Sequence, residues 1–319
     1  MKIDEQMTGI KTVGISGHVR PDGDCIGSCM GMYLYLKKNY PDARVDVFLE
    51  EIPPELEFIA DIDKVNHDFS TDVKAYDLFI CLDCGKERLG DAEKIFDVAI
   101  KKINIDHHVS NSGTGDLNYI VPSASSSCEL VYDILDVDKI DIEIAKALYT
   151  GMVTDTGVFK YNNTSPKTMR IAAELISYGF DFGSLIDHVF YEKTYLQNQI
   201  LGRALLESIR IMDGRCIVSV VSRQSMDFYG AKSSDLDGIV NQLLLTIGVD
   251  CALFMYEMEP LVYKVSLRSN GAVDVASVAE VFGGGGHVRA AGCIVNGTQH
   301  DVINNITKYI HQQLYKTVM

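Results

Sequence analysis

Hydrophobic and polar positions along the first hundred residues alternate between short apolar runs and longer helical patterns. Residues 12–16 (TVGIS) are short, apolar and β-prone, as expected of a buried strand. The Pro-Asp-Gly-Asp segment that follows has turn chemistry. Residues 25–38 (CIGSCMGMYLYLKK) read as a helix whose small residues permit close approach to a sheet. Residues 44–49 alternate and read as a strand, as do 76–82 (YDLFICL), which run into Asp83, and 102–105, which run into Asp106. Strands spaced by helical segments predict βαβ units and a mostly parallel sheet in an α/β fold.

After residue 110 the pattern turns helical, with candidates at 127–135 and 142–153 and Asp155 just past the second apolar stretch. Residues 166–178 place Pro166 in a first helical turn and Gly179 at its close. A long amphipathic stretch, 195–209, is expected to join two halves. Strands are then expected near 215–222, 251–258 and 261–268, and a helix near 274–282. The loop Gly283-Gly284-Gly285-Gly286 and a helix over 299–314 complete the reading. There is no internal repeat and no low-complexity tether. The expected division is a first domain over 1–185, a helical linker over 186–210 suited to a hinge, and a second domain over 211–319.

Composition narrows the possibilities. With 47% hydrophobic and 23% charged residues, the 319-residue chain is a soluble globular type with material for two cores. No apolar run reaches about 18 residues, so no membrane partner is expected. The charged N-terminus is expected to enter a strand directly and lacks a signal-peptide core, so the default location is cytoplasmic. A net charge of −15 argues against a sequence-independent grip on long duplex nucleic acid. It suits a small anionic substrate only where metal ions offset local carboxylates. Eight cysteines in such a chain are expected to be reduced thiols. Cys81 and Cys84 form a lone C-x-x-C without a second pair, which reads as ordinary strand-end packing.

Four stretches carry the candidate chemistry: His18 through Asp24, then Asp83, then Asp106-His107-His108, then Asp155. Strand ends of an open α/β sheet converge on one crevice, so these donors are expected to meet. Hard oxygen ligands with a few imidazoles suit manganese or magnesium better than a thiolate set would. A divalent pair about 3.5–4 Å apart can bind phosphate oxygens and activate water. His18, Asp22 and Asp24 share one tight turn, with Asp22 and Asp24 reaching different ions. Asp83 is the candidate bridge. One imidazole of His107 and His108 is a ligand and the other contacts the ligands or phosphate. Taken singly, each piece reads as a turn, a helix cap or a packed histidine; several acids at one sheet edge, however, repel one another unless a cation compensates.

The set H-x-x-x-D-x-D, a strand-end Asp followed by Gly85 and Arg88, D-H-H, and a distal T-D-T-G resembles the DHH phosphoesterase superfamily. Leu267-Arg268-Ser269 and the run from Phe282 through Gly292 resemble the DHH-associated C-terminal domain. The resemblance implies a Rossmann-like sheet domain, a smaller mixed-sheet α/β domain, and a cleft between them. It implies two Mn2+ ions, with Mg2+ or another divalent metal as substitute. His18, Asp22 and Asp83 would hold one ion, and Asp24, Asp83, His107 and Asp155 the other. His108 would lie near the attacked phosphate, and Asp83, His108 and Arg88 would be the catalytic set. Lys160 stands where many relatives are expected to have arginine, which keeps the charge and loses the bidentate fork.

Within the superfamily the likeness is to the nano-RNase and pAp phosphatase group. Substrates so implied are short RNA or DNA oligonucleotides of two to five nucleotides and small nucleotides such as pAp, and a homodimer is compatible with it. The alternatives are a phosphodiesterase of cyclic or linear dinucleotides (c-di-AMP, pApA) and, from another class, a nucleotide sensor without turnover. The glycine run allows backbone N–H groups to approach an anion. Gly284, Gly285, Gly286, His287, Arg289 and Arg268 are therefore the candidate substrate-binding residues, and no Walker lysine follows the run.

Overall fold

The computed structural model describes residues 1–315. The chain divides into two compact units, one ending at Glu192 and one beginning at Lys193. In the first, β1 (Thr12–Ser16), β2 (Arg44–Phe48), β3 (Leu78–Leu82), β4 (Lys101–Asp106) and β5 (Leu117–Ile120) form a five-stranded sheet. All pairings are parallel, in the order β2-β1-β3-β4-β5. Side chains alternate across each strand. Leu78, Ile80 and Leu82 of β3 enter the main core, whereas Phe79 and Cys81 join Phe48, Tyr76 and Phe96 on the other face.

The main core is covered by the helices Gly23–Asn39, Ser127–Ile134 and Ile142–Asp155. The small residues in the first of these have a packing reason. A Cβ on Gly27 would stand 2.6 Å from the Ala147 carbonyl oxygen, so only glycine lets these two helices pass so closely. Two details differ from the sequence reading. A short helix, Ile3–Gln6, precedes β1, and its Asp4 accepts hydrogen bonds from Tyr35 and Tyr40. The region after residue 110 holds β5 before it turns helical. β5 is a half-exposed edge strand, so it lacks the apolar alternation that reveals the buried ones.

The second unit is a mixed six-stranded sheet in the order β10-β11-β9-β8-β7-β6. Its strands are β6 (Ile209–Ile211), β7 (Cys216–Val221), β8 (Cys251–Glu259), β9 (Val262–Ser269), β10 (Gly285–His287) and β11 (Ala290–Asn296). Only β7 and β8 pair in parallel among them. The helices Val275–Glu280 and Gln299–Leu314 cover one face. The helix Tyr195–Leu206 lies on the other, with Ile200 and Ala204 buried in a cluster with Ile217 and Val221. That helix, expected within a linker, is thus part of the second core. Two short helices there, Arg223–Tyr229 and Ile239–Leu244, escaped the sequence reading. The glycine run is no open loop: β10 pairs antiparallel with β11. Gly286 has φ 146°, and a Cβ there would lie 2.4 Å from the Ala290 carbonyl oxygen. Among the described residues no helix is long and apolar enough to cross a membrane.

Candidate metal centre

A parallel sheet ordered 2-1-3-4-5 reverses direction between β1 and β3, and ligands gather outside the carboxyl ends at that point. The turn after β1 carries His18 and Asp22, and Asp24 opens the helix that follows; Asp83 follows β3 directly; Asp106 ends β4. Asp155 reaches the same place as the last residue of the helix Ile142–Asp155.

His18 Nε2 lies 3.3 Å from Asp83 Oδ2 and 3.7 Å from Asp22 Oδ1. His107 Nε2 lies 3.5 Å from Asp83 Oδ1, 3.7 Å from Asp24 Oδ2 and 3.7 Å from Asp155 Oδ2. The fold therefore gathers all six residues expected as ligands, in two groups. The two oxygens of Asp83 face opposite groups. Asp83 itself has φ 61°, a left-handed conformation in which Asp and Asn are the best tolerated residues after glycine.

Hydrogen bonds orient the His18 and His108 rings. The Val19 carbonyl can only accept, so His18 Nδ1, 2.9 Å away, donates to it and Nε2 faces the carboxylates. Asp106 accepts from His108 Nδ1 at 2.7 Å, from the His108 backbone N–H at 3.0 Å, and from Asn111 at 2.6 Å. The fully buried Asp106 thus orients His108 and leaves its Nε2 outward. That bond also raises the His108 pKa above the ordinary imidazole value.

Asp24 is held from behind: the backbone N–H of Ser127 donates to its Oδ2 at 2.6 Å and that of Cys128 to its Oδ1 at 2.9 Å. Ser127 Oγ donates to Asp83 Oδ1 at 2.9 Å. Asn163 Nδ2 donates to the Ser125 carbonyl at 2.9 Å and to Asp155 Oδ2 at 3.3 Å. Asp22 caps the helix Gly23–Asn39, its Oδ1 accepting from the N–H groups of Asp24 and Cys25 at 3.1 Å each. Its cap role and its place near His18 coexist.

The electrostatics are those of crowded acids. Burial and the charge of Asp83 push Asp24 up to about 7. Burial and Asp24 push Asp155 up to about 7 as well, and burial raises Asp83. Such a set is stabilised by positive charge, and its donors are hard oxygens and imidazoles whose ligand atoms lie within 4.8 Å of one another in each group, so that they could hold a metal. Cys25 lies within the group of His18 and Asp83, and all eight thiols are free and buried. Cys81 and Cys84 sulfurs are 3.8 Å apart.

Arg88 is exposed, and its carbonyl accepts the Val19 N–H at 2.9 Å, tying the loop after β3 to the loop after β1. Its charge opposes protonation of His108. Lys160 is exposed beyond Asp155. In the second unit, His287 pairs with Ala290 and Ala290 with Arg268, so His287 and Arg268 share one row across the sheet. Arg268 Nε donates to Asn241 at 2.9 Å, and the Arg289 guanidinium lies over Gly271. Gly284, Gly285 and Gly286 bring the backbone to the same hairpin. The sequence reading missed Asp106 as orienter, Asn111, Ser127, Asn163 and Asn241. Ser126 three residues ahead of Glu129 was a readable signal, since that spacing marks a helix start.

Comparison with known proteins agrees with this geometry. The DHH family, N-terminal domain, matches residues 12–152, and the DHHA1 domain matches residues 213–316. The bifunctional oligoribonuclease and PAP phosphatase NrnA of Thermus thermophilus is 32% identical over 296 residues, covering 90% of this chain and 85% of the relative. The Bacillus subtilis protein of the same name is 28% identical over 290 residues, 89% of each chain. Among solved structures, an exopolyphosphatase-related protein from Bacteroides fragilis matches with a TM-score of 0.84 at 27% identity, covering 98% of this chain and 94% of that one. Acids and imidazoles collected at the strand ends, and both domains matched in order, establish that this chain belongs to the DHH family of phosphoesterases, with an N-terminal DHH domain followed by a DHHA1 domain.

Proposed function

We propose that the protein is a two-metal phosphoesterase that hydrolyses short oligoribonucleotides to nucleoside monophosphates and pAp to AMP, with Mn2+ as its preferred ion. The observation that carries this reading is the Asp83 carboxylate, with one oxygen 3.3 Å from His18 and the other 3.5 Å from His107. A carboxylate so placed is a natural bridge between two donor groups. His18, Asp22 and Asp83 would hold one ion, and Asp24, Asp83, His107 and Asp155 the other. Bound there, divalent ions would supply Lewis acidity toward phosphoryl oxygens and the means of activating water at neutral pH.

The chain's own groups do the rest. His108, fixed by Asp106 and biased toward its charged form, presents Nε2 for donation to a phosphate oxygen. Arg88 adds positive charge near that ring. On the second unit, Arg268, His287 and Arg289 bind a terminal phosphate or base beside the backbone of Gly284, Gly285 and Gly286, the Gly284 N–H being itself given to the Ala279 carbonyl at 3.0 Å. The names carried by the Thermus and Bacillus relatives support this substrate class. The acidic surface disfavours long polynucleotides.

The test is turnover of purified protein with Mn2+ on a linear dinucleotide, pAp, cyclic di-AMP and pyrophosphate. AMP should be released from the first two. Cleavage of cyclic di-AMP or pyrophosphate alone would overturn the substrate assignment, and no turnover of any would overturn the enzyme.

A further inference from the structure

The serine-rich segment ahead of the helix Ser127–Ile134 takes no part in the chemistry described above, yet three candidate ligands converge on it. Ser127 gives its backbone N–H to Asp24 and its hydroxyl to Asp83. The Ser125 carbonyl takes the Asn163 amide that also bonds Asp155. The segment is anchored in turn by Glu129, which is 2% exposed. Glu129 Oε2 accepts from Ser125 Oγ at 2.7 Å and from Thr168 Oγ1 at 2.7 Å, while Lys167 Nζ stands 3.3 Å from Oε1. Glu129 thereby ties the serine segment to the helix Pro166–Ile176.

The Asp side-chain torsion that orients a carboxylate plane is broad and roughly two-fold, so nothing intrinsic keeps Asp83 aligned. A bridge requires alignment, because one oxygen must face His18 and the other His107. Among the described residues, the hydroxyl of Ser127, itself fully buried, makes the short hydrogen bond to Asp83 Oδ1.

We propose that Ser127 is the positioning residue of the metal pair: its hydroxyl sets which Asp83 oxygen faces which ion, and Glu129 holds Ser127 in place through Ser125. The inference rests on the two-metal reading. Loss of a hydrogen-bonding partner behind a metal ligand typically weakens metal affinity about 10–100-fold.

The experiment is a Mn2+ titration followed by the free-ion electron paramagnetic resonance signal, for wild type, Ser127→Ala and Ser127→Thr. Ser127→Ala keeps both N–H bonds to Asp24 and deletes only the bond to Asp83. It should bind the ion pair about 10–100-fold more weakly. The Mn2+ concentration giving half-maximal turnover should move by the same factor, with KM for pAp unchanged. Threonine, which keeps the hydroxyl, should restore affinity. Glu129→Gln, titrated well below its own melting transition so that its lower stability does not enter, serves where the threonine methyl does not fit, and should show a smaller loss in the same direction. A wild-type isotherm for Ser127→Ala overturns the inference, as does a loss explained by a lower melting temperature of the metal-free protein. Wild type that binds no ion pair overturns the two-metal reading itself, a separate result.

Discussion

Replacing Asp83 by Asn tests the centre most sharply, because the change is isosteric and removes a single charge. Asp83 is 1% exposed and lies between His18 and His107. A unit charge about 4 Å from another is worth about 4 kcal/mol at an effective dielectric near 20, and a dication doubles the charge involved. Even the single-charge value of about 4 kcal/mol per ion, taken as a lower bound, lowers affinity roughly 10³-fold for each. Turnover at fixed Mn2+ should fall at least that far. Folding should not suffer. Asn tolerates φ 61° as Asp does, and its neutral amide relieves the repulsion that burial and neighbouring acids impose on Asp83. Ala at this position lacks that tolerance and should cost about 1–2 kcal/mol of stability. The assays are turnover of pAp across a Mn2+ series and thermal unfolding in chelator. Turnover of Asp83→Asn within tenfold of wild type would refute the bridge. A metal-free melting temperature well below wild type would refute the electrostatic argument.

Asp106→Asn should lower kcat about 10–100-fold while leaving the Mn2+ isotherm intact. Both Asp106 oxygens accept hydrogen bonds, one from His108 and one from Asn111, and an amide has only one acceptor to offer. An unchanged kcat would show that His108 needs no orienter. Glu129 gives the pH dependence. Burial pushes its carboxyl up, but hydrogen bonds from Ser125 and Thr168 and the charge of Lys167 outweigh this and hold it below the usual value of 4.5. Its stabilisation is present above that value and lost as pH falls through the folded one. Glu129→Gln should therefore melt lower at pH 7 and lose less stability between pH 5 and 3; parallel acid profiles would count against it. Gly286→Ala should raise KM for pAp, because its Cβ meets the Ala290 carbonyl oxygen at 2.4 Å and breaks the β10–β11 hairpin. A weakened Mn2+ isotherm in that variant would place the glycine hairpin on the metal side instead.

Much of this molecule was readable from one dimension. Buried strands such as β1 and β3 announce themselves as short apolar runs, and a strand's carboxyl end is known once the strand is known. That logic puts His18, Asp83 and Asp106 at or just past the ends of β1, β3 and β4. Edge strand β5 and the short helices Arg223–Tyr229 and Ile239–Leu244 were missed because they bury too few residues to impose a period. The helix Tyr195–Leu206 was recognised as amphipathic, but its apolar face could not name the sheet it covers.

The order of domains, the residue types that gather charge, and the positions where the buried strands β1, β3 and β4 stop were determined by the sequence alone, because they follow from local periodicity and side-chain chemistry. Tertiary structure decided the rest. Ser127 meets Asp24 across 103 residues, and nothing near either one signals the other. Which oxygen of Asp83 faces His18, and whether Asp106 serves His108, depend on packing that brings separate loops within hydrogen-bond reach, and pairings at that distance leave no periodic trace along the chain.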